Sequence, residues 1–541
     1  MQKTGKLELT WVGKYDEQII EPRILIEDPS RSYGDPDSEN MLIHGDNLIA
    51  LQALQQQFAG RIKCIYIDPP YNTGSAFEYY DDGLEHSEWL NMMYSRLTLL
   101  KNLLSDEGFF CCHIDDSESH YLKCICDEIF GRSNYLTSFY VQVRYPNKTL
   151  AEDSDYQKVV EQILVYAKDR YKAKVNRPTE EYAIDKFIWK INELSDGEEI
   201  TLGNKKVIIF KPGEYSVEQQ EPSLTGLKET WATGSLSRVK ASAGEFFELY
   251  LSERKAIDGL GCLYKVYGIG EDGLGYRYIS GPKKESANKG KFYSGIPLSR
   301  LEELKSGTSI KYKPVSNFYD LAGSFGNCRL EGGVGFKGGK KPEALLKIIL
   351  DYFTDPGDVV LDSFLGSGST IATAHKMGRK WIGIELGDHA YSLCKVRMDN
   401  VINKDTTGIS KEIEWQGGGG YHFYELAPSL LVKHPKLPIY QINPEYTFEM
   451  VCQAICKIEG FTYAPSGRMH GYSSEHRFIH ITEEFVNAEY VKSVGATLGE
   501  GQSVLIYGSK VQSDMRLPDN VEVKRIQTDL PKKCSFESEV R

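Results

Sequence analysis

Asp68-Pro69-Pro70-Tyr71 follows an apolar run, Ile62 to Ile67, that reads as a buried strand. The carboxyl ends of strands are where open α/β sheets hold their ligands. Two prolines keep such a turn rigid and add no competing N–H donors. The Asp68 carboxylate and the Pro69 carbonyl then form a fixed pair of acceptors, with Tyr71 as an aromatic face beside them. That set suits the exocyclic amine of a nucleobase. Such an amine is a weak nucleophile, its hydrogens need acceptors as the nitrogen becomes tetrahedral, and an extruded base needs a surface to stack on. The plain alternative is a proline turn that ends a strand, with Tyr71 as packing.

A second set, Asp362-Ser363-Phe364-Leu365-Gly366-Ser367-Gly368-Ser369-Thr370, lies between a strand and a helix. Glycines there permit a tight turn and a close approach to the backbone, and the helix start offers free N–H groups. A phosphate-binding loop requires Lys before the Ser/Thr, and Gly368-Ser369-Thr370 has none, which disfavours a nucleoside triphosphate. The pattern is not GxGxxG either, since Ile371 stands three beyond Gly368. Glu385 closes the next strand, Trp381-Ile382-Gly383-Ile384, where an acid bonds ribose hydroxyls. The pair fits a nucleoside cofactor with no phosphate requirement.

The surrounding pattern supplies the elements that carry these residues. Met41 to Ile43 reads as a strand closing on Gly45-Asp46, followed by a helix from Asn47. Helices are predicted over Glu88 to Leu104 and Tyr121 to Phe130, and strands over Phe109 to Ile114 and Gln162 to Ala167. Alternation at this spacing predicts a parallel α/β sheet. It lapses from about Tyr171 to Gly333. It resumes with a helix over Pro342 to Phe353, a strand over Val359 to Asp362, a helix over Thr370 to Met377 and a strand over Lys380 to Glu385. The organisation predicted is an N-terminal arm (1–40), one α/β domain in two parts (41–170 and 331–405) around an insert (171–330), and a small C-terminal α/β domain (406–541). The last follows the Gly417 to Gly420 break and has strands near Phe478 to Thr482 and Ser503 to Tyr507.

Composition excludes several classes. The 541 residues are 41% hydrophobic and 26% charged, with no apolar run long enough to span a membrane and a polar N-terminus, so the expected location is the cytoplasm. The 11 cysteines are odd in number and lack zinc-ribbon spacing, so no metal is expected; Cys452 and Cys456 share a helix face as core residues do. A net charge of −12 argues against a nucleic-acid partner unless one surface is basic. The stretch from Arg277 to Lys340 is richer in Lys and Arg than in acids. Within it Tyr276-Arg277-Tyr278, Lys283-Lys284, Lys289 and Lys291-Phe292-Tyr293 interleave aromatics with bases. Such a mix either contacts DNA phosphates and base edges or forms a solvated loop with packed aromatics.

Asp-Pro-Pro-Tyr together with Phe-x-Gly-x-Gly resembles the motif pair of amino-group DNA methyltransferases, in the permuted order of the β class. Asp68 to Gly74, Phe109 to Asp116 and Gly339-Lys340-Lys341-Pro342-Glu343 resemble more closely the modification subunits of type III restriction-modification systems. The likeness covers about residues 40 to 170 and 330 to 400. It implies a Rossmann-like methyltransferase domain with an inserted target-recognition domain. It further implies S-adenosyl-L-methionine as cofactor, double-stranded DNA as substrate, methylation of a flipped adenine at N6, a homodimer, and a nuclease-helicase restriction subunit as partner. By position, Asp68, Pro69, Pro70 and Tyr71 are implied as catalytic. Asp362, Phe364, Gly366, Gly368, Ser369 and Thr370 are implied as the cofactor loop, Glu385 as the ribose ligand, and Lys341 with Pro342 as lying near the methionine end. Asp46 is implied near the adenine of the cofactor, although a common Gly-Asp turn explains it equally well; Asp115 is equally a helix cap. Asn72, Thr73 and Gly74 are implied to begin a loop over the base. The alternatives are methylation of the cytosine N4 amine, or a recognition subunit that chiefly directs a nuclease-helicase. Protein-glutamine methylation is disfavoured, because Asn would stand where Asp68 does.

Overall fold

Runs rich in Ile, Val, Leu and Phe that are apolar on both faces can be satisfied only between helices, and here they become the strands of one large sheet. The computed structural model describes residues 8–16, 23–73, 84–148, 155–231, 242–306, 308–336, 339–434 and 440–533. In chain order the elements that build the first unit are β1 (Leu25–Glu27), β2 (Met41–His44), α1 (Asn47–Phe58), β3 (Ile62–Ile67), α2 (His86–Leu103), β4 (Leu104–Ile114), α3 (Ser119–Cys126), β5 (Tyr135–Gln142) and β6 (Val160–Ala167). After the insert follow β7 (Phe318–Asp320), α4 (Glu343–Phe353), β8 (Val359–Asp362), α5 (Ser369–Lys376), β9 (Lys380–Glu385), α6 (Val396–Ile402), β10 (Gly420–Leu426) and α7 (Phe448–Ile458).

The strands pair in the order β1-β10-β2-β9-β8-β3-β4-β6-β5-β7. The expectation of a parallel sheet needs amendment at two places. β6 is antiparallel to both its neighbours, and β1 is antiparallel to β10. The centre is parallel throughout. There β8 pairs β3 through Val360↔Cys64 and Leu361↔Ile65, and from this seam the chain winds outward both ways, through β4 on one side and β9 on the other. The seam is therefore a topological switch point, whose carboxyl edge is the crevice of the fold.

Helices seal the two faces. In α4 the side chains of Leu345, Leu346, Ile349, Leu350 and Phe353 are buried, the spacing of a single helical stripe. Each such burial is worth about 1.5–3 kcal/mol. Trp89, Met93, Leu97 and Leu100 of α2 are equally buried, in one cluster with Ile65, Ile67 and Phe110 of the sheet. The 406–541 region belongs to this unit. β10 joins the main sheet, Lys457 of α7 donates to the Ala53 carbonyl of α1 at 2.7 Å, and a five-stranded sheet runs from Thr462–Ser466 to Val521–Arg525.

The second unit, Arg177–Val315, has its own core. Its six-stranded sheet places Glu198–Leu202, Lys205–Phe210, Leu263–Tyr267, Tyr276–Ser280, Lys291–Ser294 and Lys228–Trp231 in antiparallel register. Val207, Ile209, Phe247, Val266, Ile279 and Phe292 close one face of it. No helix among the described residues is long and apolar enough to cross a membrane.

Candidate functional site: a turn between two cavities

Because β3 and β8 are neighbours, the turn after Ile67 and the loop after Asp362 open on the same edge. Proline fixes the first: Pro69 is buried, and the Trp89 indole of α2 donates to the Pro70 carbonyl at 2.9 Å. No described residue donates to the carbonyl of Pro69. The Asp68 carboxylate is held from both sides. Tyr71 donates its hydroxyl to Oδ1 at 2.8 Å, and Lys341 Nζ lies 2.8 Å from Oδ2.

Behind this pair stands Glu161, which accepts the Tyr71 hydroxyl at 3.2 Å and lies 3.8 Å from Lys341 Nζ. His113 Nε2 is 2.9 Å from the same Glu161 oxygen, although outside good hydrogen-bond alignment, and its Nδ1 meets the Tyr66 hydroxyl at 2.8 Å. Burial would raise the Glu161 carboxyl, but the Lys341 ammonium and the His113 imidazole outweigh it and hold the group at about 2. Burial would lower Lys341, yet Asp68 and Glu161 keep it above the ordinary lysine range. Burial, then the charges of Asp68 and Glu161, push the Tyr71 phenol well above its usual value, so its proton stays in place.

The glycine loop is shaped by backbone need. Gly366 at φ 56° and Gly368 at φ 74° occupy the left-handed region, where a side chain is strained. A Cβ on Gly368 would find ordinary contacts, so conformation and not space requires glycine there. Asp362 Oδ1 accepts the Phe364 N–H at 3.0 Å, and the Gly366 N–H reaches Glu385 Oε2 at 2.7 Å. Glu385 also accepts the N–H groups of Leu386 and Gly387. Burial, opposed by the Thr370 hydroxyl and the Phe364 N–H and aided by the nearby Asp68 and Glu385 charges, lifts the Asp362 carboxyl to about 7. Ser369 and Thr370 turn inward. The buried Arg397 donates to Ser369 Oγ at 2.7 Å.

Among the described residues, the Asp68 turn lines one cavity through Pro70 and reaches a second through Lys341 and Glu161, the partners of Asp68 and Tyr71. The smaller, about 190 Å³, is lined by Pro70, Phe364, Ile384 and Leu386, with Asp46 and Glu385 as its acids. Apolar walls with carboxylates at the rim fit the adenosine part of a nucleoside cofactor, whose base packs and whose hydroxyls donate. A ribose hydroxyl would have to join or replace the N–H donors already on Glu385. Asp46 satisfies both readings given above: it caps α1 by accepting the N–H groups of Leu48 and Ile49, and it lines this cavity. The larger cleft, about 630 Å³, is lined by Glu161 and Lys341 together with Arg144, Tyr145, Lys148 and Phe336. Lys341 stands at the large cleft and on Asp68, and Pro342 is the cap residue before α4.

Asn72 sits at φ 57° and donates to Glu118 at 2.8 Å, while Gly74 lies outside the described residues. Asp115 accepts the Ser117 N–H and pairs with Lys158 at 3.0 Å. The basic positions of the insert divide. Arg277 faces Asp272, Lys289 pairs with Glu248 at 3.1 Å and Lys291 with Glu229 at 2.6 Å; Tyr278, Phe292 and Tyr293 are core. Lys283 and Lys284 are exposed. Sequence reasoning passed over Glu161 and His113. The available signal was a histidine inside the apolar run Phe109 to Ile114.

A family model described as DNA methylase matches residues 62–396. The chain is 34% identical over 410 residues to the probable type III restriction-modification enzyme HindVI Mod subunit of Haemophilus influenzae, covering 72% of this chain and 54% of that one. It is 29% identical over 405 residues to the StyLTI Mod subunit of Salmonella typhimurium, covering 68% and 54%, and 26% identical over 458 residues to the EcoPI Mod subunit of Escherichia phage P1, covering 74% and 65%. The chain thus spans about half the length of the first two relatives.

Proposed function

Because the chain belongs to the DNA methylase family, we propose that it methylates the N6 amine of an adenine flipped out of duplex DNA, within a short recognition sequence. The observation that carries this reading is the position of the Asp68 turn between a nucleoside-sized cavity and a larger cleft. S-adenosyl-L-methionine, when bound, supplies an electrophilic methyl group. Phe364, Ile384 and Leu386 would pack its base, Glu385 would accept its ribose hydroxyls, and Asp46 would lie near its adenine. The chain's own work is then to bind, orient and hold protons. The base enters the larger cleft, and Tyr71 packs against it. The amine donates its two hydrogens to the Asp68 carboxylate and the Pro69 carbonyl, so that its lone pair turns toward the methyl donor. Lys341, 2.8 Å from Oδ2, fixes the orientation of the Asp68 carboxylate as an acceptor for the amine. Catalysis rests on orientation and on this electrostatic fit.

The relatives are named as Mod subunits of type III restriction-modification enzymes. On that likeness the chain works as the modification and recognition subunit of such a system, as a homodimer, beside a nuclease-helicase subunit. Lys283 and Lys284 of the insert contact DNA phosphates.

The test is transfer of labelled methyl from S-adenosyl-L-methionine to unmethylated genomic DNA, followed by nucleoside analysis. Labelled N6-methyladenine is expected. Label in N4-methylcytosine would correct the base, and no label while the cofactor binds would overturn the reading.

A further inference from the structure

Lys341 has two carboxylates within reach, and the proposed reaction draws on one of them. Its Nζ lies 2.8 Å from Asp68 Oδ2 and 3.8 Å from Glu161 Oε2, and its side chain is 7% exposed. The Tyr71 hydroxyl spans the same two acids, at 2.8 Å and 3.2 Å. Asp68 therefore has one oxygen under an ammonium and the other under a phenol. Each oxygen keeps a second lone pair, so an amine held at Oδ2 shares it with the ammonium and loosens that ion's hold. Displacing the ammonium with nothing to receive it would strand a buried charge, which is costly. A second anion already stands on the far side, about 1 Å beyond contact distance.

We propose that Glu161 is a positioning residue that takes over the Lys341 ammonium as the substrate amine engages Asp68. The proposal rests on the methyltransferase reading above. The receiving group is built for the purpose. Glu161 lines the larger cleft, about a fifth of its side chain is exposed there, and His113 braces it from behind. It is ionised at any working pH, since Lys341 and His113 hold it near 2 against the effect of burial. A lysine has the reach to shift by this distance through its rotatable chain. The single hydroxyl proton of Tyr71, within reach of both acids, turns from one to the other in the same exchange.

The test is a double-mutant cycle on the full chain. Single-turnover methyl transfer, duplex affinity and cofactor affinity are measured for wild type, Glu161→Gln, Lys341→Met and the double variant. Glu161→Gln is expected to slow single turnover by about tenfold to a hundredfold, with both affinities within about twofold of wild type. Added to Lys341→Met, it is expected to cost less than about twofold, because the ion it receives is gone. Should Lys341→Met not fold, Lys341→Gln serves as the second background. Full activity in Glu161→Gln would overturn the proposal. So would losses that multiply in the double variant, which would mean that Glu161 acts on the base or the fold independently of Lys341. A wild type that transfers no methyl to DNA defeats the methyltransferase reading instead, and is seen before any variant is compared.

Discussion

Arg397 donates to Glu343 Oε1 at 2.8 Å, and neither side chain has any solvent-exposed surface. The same carboxylate takes Lys376 Nζ at 2.8 Å, and Lys376 reaches Asp405 at 2.6 Å. Arg397 also donates to Ser369 Oγ and to the Ser367 carbonyl. Glu343 opens α4 two residues after Lys341, so one short segment is tied to the glycine loop at one end and to Asp68 at the other. Removing Arg397 leaves a dry carboxylate with one cation for company. Arg397→Met should lower unfolding free energy by about 3–5 kcal/mol, the range for one partner lost from a buried pair. Chemical denaturation measures this, and a loss under about 1 kcal/mol would mean that the network relaxes freely.

Asp68→Ala should abolish methyl transfer by a factor of about a thousand or more, if the acceptor it removes acts at the reacting amine. Cofactor affinity should stay within about threefold, because Asp68 does not line the smaller cavity. Calorimetry and a filter assay separate the two effects. Turnover at the wild-type rate removes Asp68 from the mechanism.

Tyr71 contributes a ring and a hydroxyl, and substitutions can divide them. Tyr71→Phe keeps the ring and deletes the bridge between Asp68 and Glu161, and a loss of about tenfold is expected. Tyr71→Ala deletes the packing as well and should cost more, with duplex affinity largely kept. Fluorescence of a 2-aminopurine placed at the target position reports base extrusion. Equal rates for the two variants would leave the ring without a role.

The carboxyl of Asp362 carries a pH signature. Burial raises it to about 7 in the fold, whereas it ionises near 3.8 in the unfolded chain. Above 3.8 the unfolded state loses its proton first, so this group opposes folding increasingly as pH rises to about 7, and to a constant extent beyond. Asp362→Asn keeps the acceptor for the Phe364 N–H and removes the cost. A stabilisation of a few kcal/mol at pH 8, on the order that such a shift carries, and a smaller one at pH 5, is expected in thermal melts. A gain independent of pH would contradict the assignment.

Of the five basic positions singled out in the insert, Lys283 and Lys284 are exposed, while Arg277, Lys289 and Lys291 are matched with acids. Changing both Lys283 and Lys284 to Glu should weaken duplex binding about tenfold or more near 0.1 M salt. It should also reduce the slope of log K against log salt by about two. An unchanged slope would place the phosphate contacts elsewhere.

The central strands were legible because each carries its own evidence: Val359 to Asp362 and Lys380 to Glu385 are apolar runs that end on an acid, and they appear at those residues. Asp68, Phe364 and Glu385 were legible for the same reason, since strand ends of a switch-point sheet must converge. Glu161 was not. In Val160-Glu161-Gln162 it looks like an ordinary polar start to a strand, and its value comes only from Lys341, 180 positions away. The direction of β6 was also hidden, because an apolar run does not state which way it will pair. In the insert, the aromatics interleaved with bases proved to serve two cores: Phe292 packs with Ile279 on one face of the sheet, and its neighbour Tyr293 packs with Tyr278 on the other.

The pairing of Cys64 with Val360 has a consequence for synthesis. At ribosomal rates of about 5–20 residues per second, β3 and its proline turn emerge some 15–60 s before the strand that covers their flank. During that interval an intensely apolar ribbon has one edge unmatched, an invitation to chaperones and to wrong partners alike. A nascent chain that stops short of Asp362 carries the Asp68 turn and every residue that lines the larger cleft, but it lacks Ser363, Phe364, Ile384, Glu385 and Leu386, about half the wall of the smaller cavity.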